Sequence, residues 1–229
     1  MRLPARRRLE TGFTLVEILV VLAILATLIG LVAALIPKAM VAKQKTRAGT
    51  MVLTMGAALN LLKTDNDQFG RYPPSRLRDL KIGKSQVGKE LGQQNDVNVG
   101  IESVYFLLNN PDIQVSQITA DAEMIGNTDN DAYRAAKGTA GDLFAREYLD
   151  AWGQPFAYFH SNDYKEPKGL TDLVSADGRK ISVKPKRMKA SAGGNFKNPN
   201  SFQLFSVGPN GEQDPDDAED SDDIEFEGQ

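Results

Sequence analysis

The stretch Gly12-Phe13-Thr14-Leu15-Val16-Glu17 joins a basic N-terminal segment to an apolar run that ends at Ile36. The segment before it carries four arginines and a single acid, Glu10. A helix over residues 13–36 would be about 36 Å long, enough to cross the hydrocarbon core of a bilayer. Because basic residues stay on the cytoplasmic side, we expect one membrane pass, with the N-terminus in the cytoplasm and the C-terminal domain outside.

Glu17 places a carboxylate inside this apolar run. A charge in a membrane helix costs about 2.5–3.5 kcal/mol on insertion scales, so it requires a partner or a function. Cleavage after Gly12 would give Phe13 a free amine, and the amine of a neighbouring subunit could neutralise Glu17 within the lipid. No small-residue cleavage site follows the run, as it would in an ordinary secretory signal. The alternative is a plain signal anchor with a stray glutamate.

This stretch resembles the class III signal of type IV pilins and type II secretion pseudopilins. The resemblance covers residues 1–36, with 1–12 as the leader peptide and 13–36 as the membrane and filament-core helix. It implies cleavage between Gly12 and Phe13, methylation of Phe13, and alignment of subunits by Glu17 in a helical filament. The implied partners are other pseudopilin subunits, the prepilin peptidase/methyltransferase and the inner-membrane secretion platform.

Composition bounds the rest of the chain. Of 229 residues, those after Ile36 suffice for one domain of ordinary size. The net charge is −3 and basic residues do not cover the main domain, which argues against nucleic acid as a partner. The chain has no cysteine and a single histidine, His160, so neither a disulfide nor a zinc site of the usual kind is expected.

The pattern beyond the apolar run predicts that the helix continues over residues 37–65 as an amphipathic half, with a kink near Pro37. Apolar residues recur there largely at three- and four-residue steps. They are Val41, Met51, Val52, Met55, Ala58, Leu59 and Leu62. We expect one helix from about Phe13 to about Thr64, whose stripe packs on a domain formed by residues 66–229.

Within that domain, residues 81–148 look like an insertion relative to compact pseudopilins. Ile101–Leu108 is apolar enough to pack as a helix, and Asn127–Asp131 is expected to form a polar surface loop, although it could hold a cation. Further on, the Trp-Gly-Gln-Pro stretch from Trp152 predicts a turn, and strands are expected at 156–160, at 181–184 and at 202–207. A basic run over 179–197 could meet a neighbouring subunit or lipid headgroups, but we expect it to be a solvated face.

The last residues, 208–229, are strongly acidic and contain no basic residue. Taken alone, they are either a disordered tail or a calcium loop, because calcium takes several carboxylate and carbonyl oxygens. The sequence Phe205-Ser206-Val207-Gly208, a loop, and then Asp222-Asp223-Ile224 resembles the end of the major pseudopilin, general secretion pathway protein G. That resemblance implies a calcium loop. The implied ligands are Asp222 and Asp223, with Asp220, Asp217 and Ser206 as weaker candidates.

The predicted fold is α+β and pilin-like: a long N-terminal helix packed on a small antiparallel sheet with a C-terminal loop. The resemblance implies a structural subunit of a type II secretion pseudopilus, anchored in the inner membrane and then assembled in the periplasm. We expect no enzymatic activity, because no convincing nucleophile–base pair, zinc set or phosphate loop is visible. The alternatives are a type IV pilin of a surface fibre and a membrane-anchored periplasmic binding domain.

Overall fold

The computed structural model describes residues 13–64, 69–81, 95–109, 118, 120–132, 145–189, 194–216 and 218–227. Within these residues lie two α-helices, α1 (Leu15–Thr64) and α2 (Val99–Leu108). The strands described there are β1 (Ile125–Gly126), β2 (Glu147–Tyr148), β3 (Ala157–His160), β4 (Asp172–Val174), β5 (Lys180–Ser182), β6 (Phe202–Ser206) and β7 (Ile224–Glu225). The chain divides into two compact units, Met1–Ala42 and Lys43–Gln229.

Helix α1 runs without interruption through Pro37. In the second unit its apolar stripe is buried as predicted, at Met51, Val52, Met55, Ala58, Leu59 and Leu62. Val41, predicted in the same stripe, is 41% exposed. The reason is that Val41 belongs to the first unit, whereas the described core begins at Ala48. The kink at Pro37 stays a prediction.

The central sheet is antiparallel, with strand order β3-β6-β7. Because neighbouring side chains of a strand point to opposite faces, β3 and β6 each contribute side chains to two hydrophobic cores. Tyr158 and Leu204, which are paired across β3 and β6, join the core that contains the α1 stripe. Phe159 and Phe205 join a second core. Both faces are therefore covered, which explains why every residue of β6 is buried.

The predicted α+β, pilin-like arrangement is confirmed: a long N-terminal helix accompanies small antiparallel sheets. Besides the central sheet, β1 pairs with β2 and β4 pairs with β5, both antiparallel. The helix expected at Ile101–Leu108 is α2. The strands expected at 156–160, 181–184 and 202–207 correspond to β3, β5 and β6. The predicted limits of the domain and of its insertion stay predictions.

Two expectations about polar segments hold for most of each segment and are wrong at one charged residue each. In the Asn127–Asp131 loop Asn130 is exposed, but Asp131 is only 8% exposed. In the basic run Arg179, Lys180 and Arg187 are exposed, but Lys186 is only 3% exposed. In both cases charged side chains lie inside the domain, which requires compensating partners.

Candidate functional site

The first turn of α1 is closed by a reciprocal capping box between Thr14 and Glu17. The amide and the hydroxyl of Thr14 each donate to Glu17 Oε2 at 2.8 Å, and the Glu17 amide donates to Thr14 Oγ1 at 3.2 Å. Such a box satisfies donors that the start of a helix otherwise leaves open. Phe13 precedes it and is 84% exposed, whereas Gly12 lies outside the described residues. The Glu17 carboxylate therefore has a capping role within its own chain.

The first unit presents an apolar helical surface. The large hydrophobic side chains between Phe13 and Val41 are 41–84% exposed. Within the described residues, α1 is the one helix long and apolar enough to cross a membrane. A largely apolar surface of this length is suited to lipid or to other apolar helices.

The C-terminal segment is joined to the sheet by β7. Ile224 lies opposite Ser206 in β6. The Phe226 ring stacks on Phe202 with 5.4 Å between centroids and 9° between planes. It also covers Gly56 of α1 so closely that a Cβ there would lie 2.2 Å from the ring. The acidic stretch between β6 and β7 is therefore closed by strands at both ends and is not a free tail.

Three carboxylates, Asp214, Asp222 and Asp223, meet in this loop, and we call them the C-terminal acidic group. Their ligand atoms lie within 4.8 Å of one another. Asp214 accepts from the Asp222 amide at 2.8 Å, and Asp223 accepts from the Asp214 amide at 3.1 Å. Burial and the adjacent Asp214 raise the pKa of Asp222. The loop thus holds like charges together by its own backbone bonds.

Lys186 supplies a positive charge to one side of this group. Its ammonium group forms an ion pair with Asp223 and another, at 2.8 Å, with Glu225 of β7. Burial acts to lower the pKa of Lys186, but the hydrogen bonds to the two acids outweigh it and raise that pKa. Gln203 fixes the Lys186 backbone, accepting from its amide at 2.6 Å and donating to its carbonyl at 2.9 Å. The ion pairs of Lys186 with Asp223 and Glu225 therefore connect β7 to the segment after β5.

Of the five predicted calcium ligands, the structure places two, Asp222 and Asp223, in the C-terminal acidic group. Asp222 and Asp223 lie together, whereas Asp220 is exposed and outside the group. Asp217 lies outside the described residues. The Ser206 hydroxyl donates to Asp150 Oδ2 at 2.6 Å and accepts from the Gly208 amide at 3.0 Å. Ser206 therefore uses its hydroxyl to fasten the start of the loop.

Asp214 and Lys186 were not among the predicted site residues. Asp214 lies in the acidic stretch, but composition does not rank one aspartate there above another. Lys186 lies in a run of basic residues and carries no sequence signal of burial. Its pairing depends on the return of β7 beside β6, which brings residues distant in sequence together.

The C-terminal acidic group fits a calcium ion by its donor chemistry and spacing. Oxygens that bind one calcium at about 2.4 Å are at most about 4.8 Å apart. Within the described residues, Asp222 Oδ1 and Asp223 Oδ1 are buried and have no hydrogen-bond partner. Asp214, Asp222 and Asp223 are therefore the residues that would hold calcium here. Lys186 reduces the net negative charge that attracts it.

Comparison with known proteins supports the N-terminal signal. Residues 7–33 match the prokaryotic N-terminal methylation motif. No curated protein and no solved structure matches the chain. The motif is of the type found in pilins and pseudopilins, and it implies processing by prepilin peptidase and assembly with other pilin-like subunits. The predicted pilin-type signal is thus confirmed, and the motif is common to pilins and pseudopilins.

Proposed function

We propose that this chain is a pseudopilin subunit of a type II secretion system, related to general secretion pathway protein G. The observation that carries the proposal is the return of a cysteine-free acidic loop to the sheet through β7, which gathers the C-terminal acidic group. The methylation motif supports the pilin-like part of the proposal. Proteins with such a signal have a structural role, not a catalytic one.

In this proposal, cleavage after Gly12 exposes the amine of Phe13, which is then methylated. The cleaved chain keeps the capping box of Thr14 and Glu17, and the amine of a neighbouring subunit meets the Glu17 carboxylate. The exposed apolar surface of α1 is first covered by lipid and then by the helices of other subunits. The globular domain lies in the periplasm, and the filament drives secretion.

Deletion of the gene in its native host tests the class of filament. Proteins exported to the medium should be lost while surface fibres remain, and the full-length chain should restore export. Glu17→Gln should not restore it, whereas Glu10→Gln should, because cleavage removes Glu10 with the leader. Loss of surface fibres with unchanged export would instead identify a pilin, and no effect on either would favour an anchored domain.

Calcium at the C-terminal acidic group is the second part of the proposal. The test is calorimetric titration of the full-length chain in detergent with calcium and with magnesium after chelator treatment. Asp222→Ala/Asp223→Ala should abolish one calcium-binding event. Glu166→Gln, which changes an exposed carboxylate, is the control. Unchanged calcium binding by the double variant would refute this site, and the assignment of filament class would then depend on the export test alone.

A further inference from the structure

Three further carboxylates meet inside the second unit, on elements that do not carry the C-terminal acidic group. Glu102 lies on α2, Asp129 follows β1 and Glu147 lies on β2, and their ligand atoms are within 4.8 Å of one another. Glu102 and Glu147 have 0% exposure. We call these three residues the interior acidic group. Nearby Asp131, at 8% exposure, adds to the negative charge.

The interior acidic group has carboxylate oxygens without partners. Within the described residues, neither oxygen of Glu102 has a hydrogen-bond partner. The same holds for Oδ1 of Asp129, Oδ1 of Asp131 and Oε2 of Glu147. No lysine or arginine in the described part of the chain forms an ion pair with these carboxylates. Unpaired buried charges of one sign are strongly unfavourable, so a counter-charge is required.

The other oxygens are held in place by donors of the chain. Glu147 Oε1 accepts from the Thr128 amide at 2.5 Å and from the Thr128 hydroxyl at 2.6 Å. Asp129 Oδ2 accepts from Asn95 Nδ2 at 2.7 Å. One oxygen of Glu147 and one of Asp129 are thereby fixed, while the second oxygen of each and both oxygens of Glu102 have no described hydrogen-bond partner. Hydrogen bonds of this kind orient the ligands of metal sites.

Protonation alone does not compensate the buried carboxylates of the interior acidic group. Burial, with repulsion from the neighbouring acids, raises the pKa of Glu102 well above its usual range, that of Asp131 to about 7 and that of Glu147 to about 6. A protonated carboxyl still needs an acceptor for its O–H, and both Glu102 oxygens lack any described partner. A cation, by contrast, accepts electron density from every oxygen at once.

We propose that Glu102, Asp129 and Glu147 bind a divalent cation inside the domain, and that this cation is calcium. The ligands are all carboxylate oxygens, the donors that hard cations prefer, whereas zinc sites usually include Cys or His. Calcium also tolerates irregular geometry, whereas magnesium demands a near-ideal octahedron. The ion would tie α2 to the β1–β2 pair. This site does not depend on the assignment of filament class.

The test uses the full-length chain in detergent, with Asp222→Asn/Asp223→Asn as a background that removes the C-terminal acidic group. The background protein is first freed of cations with chelator, and the chelator is then removed. Added calcium should bind at one ion per chain. At a calcium concentration of 100 times Kd, it should raise the thermal midpoint by about 5–10 °C. Glu102→Gln keeps the shape and removes one charge, so calcium affinity should fall at least about tenfold. Glu166→Gln is the matched exposed control.

The cation-free protein gives a second readout, which a merely structural role of Glu102 would not produce. Without calcium, Glu102→Gln should unfold at the same or a higher temperature than its parent, because repulsion within the group is relieved. Asp129→Asn, at a half-buried position, should also weaken calcium binding. It replaces Glu102→Gln in the test if that variant does not fold. Absence of calcium binding in the background, or binding unchanged by both variants, would overturn the proposal.

Discussion

Replacing Lys186 with methionine tests whether the buried ion pair holds the C-terminal segment on the sheet. Lys186 contacts Asp223 and Glu225, and the Asp223 side chain has 0% exposure. Methionine fills a similar volume and can keep packing near the Phe205 ring, which lies 5.2 Å from the Lys186 ammonium. The substitution therefore removes the charge with little change of shape. Glu225 retains Lys197 at 2.6 Å, so Asp223 is the group left without a described counter-ion.

The magnitude follows from the options open to Asp223. Removing one partner of a buried pair typically costs 3–5 kcal/mol. Asp223 can avoid the buried charge by binding a proton. Starting from an ordinary pKa of 3.8, that protonation costs about 4 kcal/mol at pH 7 and about 1.5 kcal/mol at pH 5. We expect Lys186→Met to lower the free energy of unfolding by about 3 kcal/mol at pH 7 and by less than about 1.5 kcal/mol at pH 5.

The assay is equilibrium unfolding of the full-length chain in detergent, with chelator present to exclude cations. Fluorescence of Trp152, the single tryptophan, reports on the second unit. At pH 7 the thermal midpoint should fall by about 6–12 °C. Lys180→Met, at an exposed position of β5, should change stability by no more than about 0.5 kcal/mol. An equal loss at pH 5 and pH 7, or a loss below about 1 kcal/mol at pH 7, would refute the reasoning.

Three further predictions concern other parts of the second unit. In cation-free protein, stability should fall as the pH rises from about 5 to 7. The folded state keeps protons on Glu147 and Asp131, with pKa values of about 6 and about 7, that the unfolded chain has already released. Urea unfolding at these pH values measures this fall, and saturating calcium should reduce it. Gly208→Ala should destabilise the protein more than Gly178→Ala. Both glycines have positive φ, but an added Cβ at Gly208 would lie 2.3 Å from the Asp222 carbonyl, whereas nothing lies within 4 Å at Gly178; thermal unfolding of both variants would test this. Tyr158→Phe should cost about 1–2 kcal/mol in denaturant unfolding, because the buried Pro73 carbonyl loses its donor at 2.8 Å. A neutral effect would show that water replaces the donor.

Much of the fold was predictable because its signals are local. The α1 stripe repeats at helical steps, and α2 is a compact apolar run. The strands β3 and β6 follow turn-forming residues and are rich in aromatic side chains. In these elements propensity, pattern and burial agree, so the sequence alone predicts both their type and their approximate position.

The parts that were not predicted depend on partners far away in the sequence. β7 is only two residues long and lies within an acidic stretch, so composition does not predict a strand there. It forms because it pairs with β6, which is distant in sequence. Lys186 is buried beside Asp223 and Glu225, and the pairing of β7 with β6 brings these two acids to it. Glu102 is a single acid in an apolar helix. The local sequence does not indicate that it is buried beside two other carboxylates. Such contacts come from topology and not from local pattern.

The two acidic groups differ in a way that sets the order of their calcium affinities. The C-terminal acidic group shares Asp223 with Lys186, so part of its negative charge is already neutralised. The interior acidic group has no described counter-ion and is more deeply buried, where charges interact more strongly than near solvent. We therefore expect the interior group to bind calcium more tightly in the wild-type chain. Lys186→Met should reduce the difference between the two calcium affinities, because it removes the competing positive charge from the C-terminal acidic group only. Calorimetry gives the affinity of the interior group in the Asp222→Asn/Asp223→Asn background and both affinities in the wild-type chain. A C-terminal group that binds calcium more tightly would contradict this order.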